Sequence, residues 1–207
     1  MNISFKRAEF PEPVTIGWDY PLIWDIDFDP GVSARELRST LAQEQWQPMT
    51  LGYGLENNAK RHLLGPPYKS EVLTRIDKVF VHPAFKIQLL ETLGAVPYFQ
   101  NLWPTDKLAE LTQVSTSWGR DLPGFKISPH LDNRLQICTG MIFFNETNDP
   151  ASGTKFTRTN GGPVIKTGNS GFGQGWILAH DYHGWHHGEN ASSTDRFHLT
   201  IHLRIKI

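Results

Sequence analysis

The 207-residue chain has a single cysteine, Cys138, so it cannot form an internal disulfide. That fits a reducing, cytoplasmic compartment, since disulfide frameworks belong to oxidising ones. No apolar run approaches the roughly 20 residues of a membrane helix. Met1–Lys6 lacks the apolar stretch and cleavage site expected of a signal peptide. There is no basic run and no charge imbalance: 20 Lys and Arg stand against 21 Asp and Glu. This argues against nucleic acid or an anionic membrane as a partner. Repeats and low-complexity segments are also absent. What remains is ordinary for a globular chain, with 39% hydrophobic and 20% charged residues. The length suits one domain with its own core.

Patterning divides that domain into a mixed helical and strand part, residues 1–120, and a β-rich part, residues 121–207. Ser33 and Glu36 form a capping box opening a helix over residues 33–46, with Leu37 and Leu41 on one face. A second helix is expected over Pro83–Leu93, closed by Gly94 as a C-terminal cap. A third begins at Thr105 or Asp106 and carries Leu108 and Leu111. Gly65-Pro66-Pro67 and Leu122-Pro123-Gly124 read as turns. Strands are expected over 137–145, 153–157 and 176–178. The last segment alternates strictly: Phe197, Leu199, Ile201, Leu203, Ile205 and Ile207 face one way, and Arg196, His198, Thr200, His202, Arg204 and Lys206 the other. Short strands preceded by helices suggest a β-sandwich or jelly roll faced by helices. The seven tryptophans, among them Trp18, Trp24, Trp46 and Trp103, read as packing residues.

Chemistry concentrates in the histidines. Six of the nine fall between His180 and His202, and His130 stands in Pro129-His130-Leu131-Asp132. Residues two apart on a strand project from one face, so His130 and Asp132 can grip one metal. A histidine from Trp185-His186-His187-Gly188 would complete two imidazoles and one carboxylate. That set leaves three octahedral positions open and marks non-haem Fe(II) oxygenases.

In this order and spacing the sequence resembles the 2-oxoglutarate/Fe(II)-dependent dioxygenase superfamily over roughly residues 120–207. His130-Leu131-Asp132 resembles the family's HxD motif, 153–156 the following turn and strand, and the WHHG run the distal histidine. Arg196 stands where the family places the base for the far carboxylate of 2-oxoglutarate, 196 − 187 = 9 positions from His187 and 10 from His186. The resemblance implies a double-stranded β-helix (jelly-roll, cupin-like) core with N-terminal helices on its outer face. It implies Fe(II) on His130, Asp132 and His187, with His186 as the rival third ligand. It also implies 2-oxoglutarate on Arg196, with Thr200 or His198 as second carboxylate partner, and O₂ as oxidant, with ascorbate an optional reductant. Many members carry Ser where His198 stands. The activity implied is hydroxylation of a C–H bond in a protein side chain, amino acid or small metabolite. Members that halogenate replace the carboxylate, which Asp132 retains here.

Three other readings stand beside these. One groups the chain with non-catalytic metal- or ligand-binding jelly rolls. Alternatively, His180, His183, His186 and His187 form a zinc site of hydrolytic type, which leaves His130 and Asp132 without a role. Taken singly, His180, His183 and His202 are surface or structural histidines. Arg134 is by default a surface charge, and Cys138 a small apolar core residue.

Overall fold

The computed structural model describes residues 1–9, 21–49, 60–102, 105–133, 135–180 and 184–206. Trp18, Trp103, Arg134, His183 and Ile207 lie outside the described residues. The elements run in the order β1 (Asn2–Arg7), β2 (Leu22–Asp29), α1 (Ala34–Ala42), β3 (Gln47–Pro48), β4 (Arg61–Leu64), α2 (Glu71–Val81), α3 (Pro83–Gly94), α4 (Pro97–Leu102), α5 (Thr105–Leu111), β5 (Thr112–Asp121), β6 (Lys126–His130), β7 (Gln136–Phe143), β8 (Thr154–Thr157), β9 (Val164–Thr167), β10 (Gln174–Ala179), β11 (Trp185–Glu189) and β12 (Arg196–Ile205). Among the described residues no helix is long and apolar enough to cross a membrane.

Helix starts follow local chemistry. The Ser33 hydroxyl accepts the Glu36 amide at 3.2 Å and opens α1. Ser70 caps α2 through the Val72 amide at 3.1 Å, and Pro83 occupies the first turn of α3. Gly94 departs from expectation. It is the last residue of α3, with Ala95 as the cap, and its φ is not positive. The glycine therefore closes no left-handed cap. Gly124 does use its freedom, turning the Leu122-Pro123-Gly124 corner at φ +74°.

Antiparallel pairing builds two sheets, ordered β1-β2-β10-β7-β12-β5-β4-β3 and β6-β11-β8-β9. They form the two layers of a jelly roll. One face of the large sheet buries Trp24, Ile26, Trp118, Ile142, Ile177, Leu199, Ile201 and Leu203. Leu37 and Leu41 of α1, Leu73, Ile76 and Phe80 of α2, and Leu89 and Leu93 of α3 cover it. Full burial of each such side chain is worth roughly 1.5–3 kcal/mol. The N-terminal helices thus lie on the outer face, as the alternation of β12 requires. The opposite face carries Phe143, Trp176 and Leu178 towards Phe156 of the small sheet, and the space between the sheets holds the cavity described next.

Candidate metal centre

The large sheet presents rows of side chains to the inter-sheet space, and register fixes each row. Arg61 on β4 pairs with Asp121 on β5, which pairs with Arg196 on β12. Two residues along, Gly119 pairs with His198. Next come Ser117, Thr200 and Met141, then His202 and Thr139. Arg196, His198, Thr200 and His202 all line one cavity of about 630 Å³, with Arg61, Thr139, Met141 and Trp176. The small sheet contributes His130 and His186, and the segment just past β6 contributes Asp132.

His130 ends β6 and is the cross-strand partner of His186 on β11, so their rings sit 4.4 Å apart. Asp132 lies just past the strand rather than on it, and its Oδ1 is 3.7 Å from the Nε2 of both histidines. Ligands about 2.1 Å from one ion stand about 3 Å apart in an octahedron, so a small contraction closes the set. Orientation is fixed from behind. His130 Nδ1 donates to the Ser128 carbonyl at 2.9 Å, and His186 Nδ1 to the Gly184 carbonyl at 2.9 Å. A carbonyl can only accept, so each Nδ1 carries the proton and each Nε2 lone pair faces Asp132. Burial, then the charge of His186, lowers the pKa of His130. Burial would raise that of Asp132, but His186 and the His180 hydrogen bond override it and keep the carboxylate ionised.

The distal histidine departs from expectation. The structure brings His186, not His187, to His130 and Asp132. On a strand, neighbours face opposite ways. His186 is 6% exposed and joins the donor cluster, whereas His187 also lines the cavity but is half-buried beside Lys155 and Glu189 and outside that cluster.

A second layer went unrecognised in the sequence. His180 Nε2 donates to Asp132 Oδ2 at 3.1 Å, leaving Oδ1 for an ion. Thr139 Oγ1 lies 3.2 Å from His180 Nε2, and the Gln136 amide reaches His202 Nδ1 at 3.0 Å. Burial pushes the His202 pKa down to about 4, so the ring is neutral and accepts. His180 and His202 read singly as bland histidines because their partners, Asp132, Gln136 and Thr139, are distant in sequence.

Arg196 is 2% exposed and faces inward, as its alternation predicts. It does not face an empty space. Its Nη2 and Nε reach Asp121 Oδ2 at 2.6 and 3.1 Å, and its Nη1 donates to the Glu189 carbonyl at 2.7 Å and to that of Ser152. Arg61 grips the same carboxylate in a fork, Nε to Oδ1 at 2.6 Å and Nη2 to Oδ2 at 2.9 Å. Burial pushes the Asp121 carboxyl up, but Arg61 and Arg196 hold it well below the usual carboxylate range. The His198 ring packs against Gly119, with Nδ1 3.7 Å from Asp121 Oδ2 and without a hydrogen-bond partner among the described residues. Burial holds its pKa down to about 3, so it is neutral. The only sequence signal for Asp121 and Gly119 was the alternation of Ser115, Ser117, Gly119 and Asp121.

No protein family model matches the sequence, and no curated protein does. Solved structures do match. A prolyl-4-hydroxylase from Pseudomonas putida superposes with a TM-score of 0.54 at 16% identity, covering 84% of each chain. A viral collagen prolyl hydroxylase from Paramecium Bursaria Chlorella virus-1, solved as a 2OG complex, gives 0.51 at 14%, covering 89% of this chain and 96% of that one. The fold is that of the 2-oxoglutarate/Fe(II) oxygenases. HygX from Streptomyces hygroscopicus, solved with nickel, 2-oxoglutarate and hygromycin B, has it too, with a TM-score of 0.53 at 11% identity over 92% of this chain and 85% of that one. The likeness covers 84–92% of this chain, more than the stretch where the motifs lie.

Proposed function

We propose that this chain is a 2-oxoglutarate- and Fe(II)-dependent dioxygenase that hydroxylates a C–H bond of a protein side chain, an amino acid or a small metabolite. The observation that carries this is the donor set: two imidazoles with their Nδ1 protons anchored on carbonyls and one ionised carboxylate converge on a point in the cavity. Such a set suits Fe(II) and leaves three coordination positions open for a bidentate co-substrate and O₂. The similarity to a collagen prolyl hydroxylase and to HygX, both solved with 2-oxoglutarate, supports the same reading.

When bound, iron and 2-oxoglutarate supply the oxidising power by coupling decarboxylation of the keto acid to O₂ reduction. The chain's residues do the rest. His130, Asp132 and His186 hold the ion, and His180 fixes Asp132 so that one oxygen faces it. Retention of Asp132 favours hydroxylation over halogenation. The arginine end of the cavity offers positive charge to a remote carboxylate, with His198 and Thr200 beside it. Trp176 and Met141 wall the space and restrict water. Cys138, buried with its thiol pushed up to about 12, takes no part.

A second reading, a non-catalytic metal-binding jelly roll, is favoured by one observation: Asp121 already neutralises Arg196. An anaerobic titration separates the two. Fe(II) plus 2-oxoglutarate should develop a visible charge-transfer band that His130→Ala abolishes. No band and no binding of 2-oxoglutarate would refute the enzyme reading, and activity retained with zinc in the absence of O₂ would replace it with a hydrolytic one.

A further inference from the structure

We infer that Arg61, from the N-terminal half, supplies the uncommitted guanidinium donors that receive the remote carboxylate of the co-substrate, while Arg196 is held as a structural partner of Asp121. This rests on the proposal that the cavity takes 2-oxoglutarate.

Donor counting separates the two arginines. A guanidinium has five N–H donors and keeps its charge. Arg196 commits its Nε and one Nη2 proton to Asp121, and both Nη1 protons to the carbonyls of Glu189 and Ser152. One donor of its five remains. Among the described residues Arg61 commits only Nε and one Nη2 proton, both to Asp121. Three donors remain, two of them on Nη1. Charge points the same way. Two guanidinium groups share one carboxylate, which leaves one positive charge. The Arg61 side chain is 13% exposed against 2% for Arg196, so it has the freer access to the cavity that both line. Its guanidinium lies 4.2 Å over the Phe125 ring, which fixes the plane of the fork.

The metal end and the arginine end lie along one wall. His186 and Gly188 are two residues apart on β11, roughly 7 Å. A Cβ on Gly188 would stand 3.9 Å from Arg196 Nη2. A short dicarboxylate chelated at the metal therefore has its far end beside the Arg61–Asp121–Arg196 row. His198, neutral and with an unpartnered ring nitrogen beside Asp121, adds a polar group at that end.

The test is anaerobic titration of the Fe(II)-loaded full chain with two keto acids, followed by the charge-transfer band. 2-Oxoglutarate carries the second carboxylate, and 2-oxobutyrate has the same chelating end without it. Arg61→Gln should raise the Kd for 2-oxoglutarate about 10- to 100-fold, the scale of a charge-assisted hydrogen-bonded pair. Its Kd for 2-oxobutyrate should stay within twofold of the parent. Arg61→Met, an unbranched side chain without the charge or the donors, serves as the second variant and should show the same split. An unchanged Kd for 2-oxoglutarate, or an equal loss for both acids, overturns the inference. If the parent chain binds 2-oxobutyrate and 2-oxoglutarate equally, the arginine row receives no carboxylate and the inference also fails. If the parent binds neither acid, the co-substrate reading itself fails, and this inference with it.

Discussion

Replacing Asp121 by Asn is the sharpest probe of how the cavity is built. The carboxylate is fully buried, and two arginines, 13% and 2% exposed, converge on it from the neighbouring strands. Asn keeps the shape but removes the charge and turns two donors towards donors. The row then carries two positive charges with no counter-ion. Breaking a buried ion pair by removing one partner costs about 3–5 kcal/mol. For a chain of this size that is a large share of the usual 5–15 kcal/mol. At roughly 2–4 °C per kcal/mol the melting temperature should fall by roughly 6–20 °C. Urea denaturation followed by tryptophan fluorescence reads the change, because Trp118 is buried on the same strand as Asp121. The slope with urea should stay unchanged while the midpoint falls. Arg61→Gln leaves a balanced Asp121–Arg196 pair and should cost clearly less. Acid titration gives an internal check. The native pKa of Asp121 lies below its unfolded value, so its contribution is complete above about pH 5 and is lost as pH falls. The Asn variant should lack that component. A loss of stability under about 0.5 kcal/mol for Asp121→Asn would refute the argument, because it would mean that the two arginines do not depend on the carboxylate.

The metal set predicts that His186→Ala loses tight Fe(II) binding in a metal titration, while His187→Ala stays within threefold of the parent; the reverse pattern would sink the assignment of His186. A Cβ on Gly119 would stand 2.0 Å from His198 Nε2, so Gly119→Ala should cost about 1–3 kcal/mol by urea denaturation. Combining it with His198→Ser should recover part of that loss, and simple additivity would show that the ring is not what the methyl meets. Burial lowers the His198 pKa from 6.5 to about 3, with Arg61 and Arg196 lowering it further and Asp121 opposing. The unfolded chain therefore takes up the proton first. Stability from this group should be complete above about pH 7 and fall by about 3 kcal/mol between pH 6.5 and 4. The comparison is the urea midpoint against pH for the parent and for His198→Asn, and identical curves would count against a neutral buried ring.

The C-terminal half was legible because its signals are local. His130 and Asp132 are two apart, and β12 alternates over ten residues, so the inward set from Arg196 to His202 could be read directly. The second helix was legible as well, apart from its glycine. The choice between His186 and His187 needed the phase of β11, a strand of five residues with a register shift against β6. Five residues do not reveal which face looks inward. Asp121, Arg61 and His180 were hidden for another reason. Each acts through partners more than 40 residues away. Only strand pairing brings them together, and β4, a strand of four residues, has too little pattern to announce itself. Helix α2 was missed although Leu73, Ile76 and Phe80 are spaced for one buried face.

The charges of the cavity explain why an acidic residue can occupy the arginine end without spoiling it. Asp132 and Asp121 carry two negative charges, Arg61 and Arg196 two positive ones. The neighbouring His198 and His202 are held neutral by burial. These four groups therefore sum to zero before any ligand enters. A divalent ion makes the sum two positive, and a dicarboxylate returns it to zero. Without Asp121 the same ligands would leave one positive charge at the buried arginine end, where it is costly. Asp121 thus makes the proposed ion and co-substrate mutually dependent. Each alone leaves the cavity charged, and together they leave it balanced. Under that reading the substrate enters a site with no net charge to satisfy, and its selection falls to shape and hydrogen bonding at the rim rather than to attraction by the cavity floor.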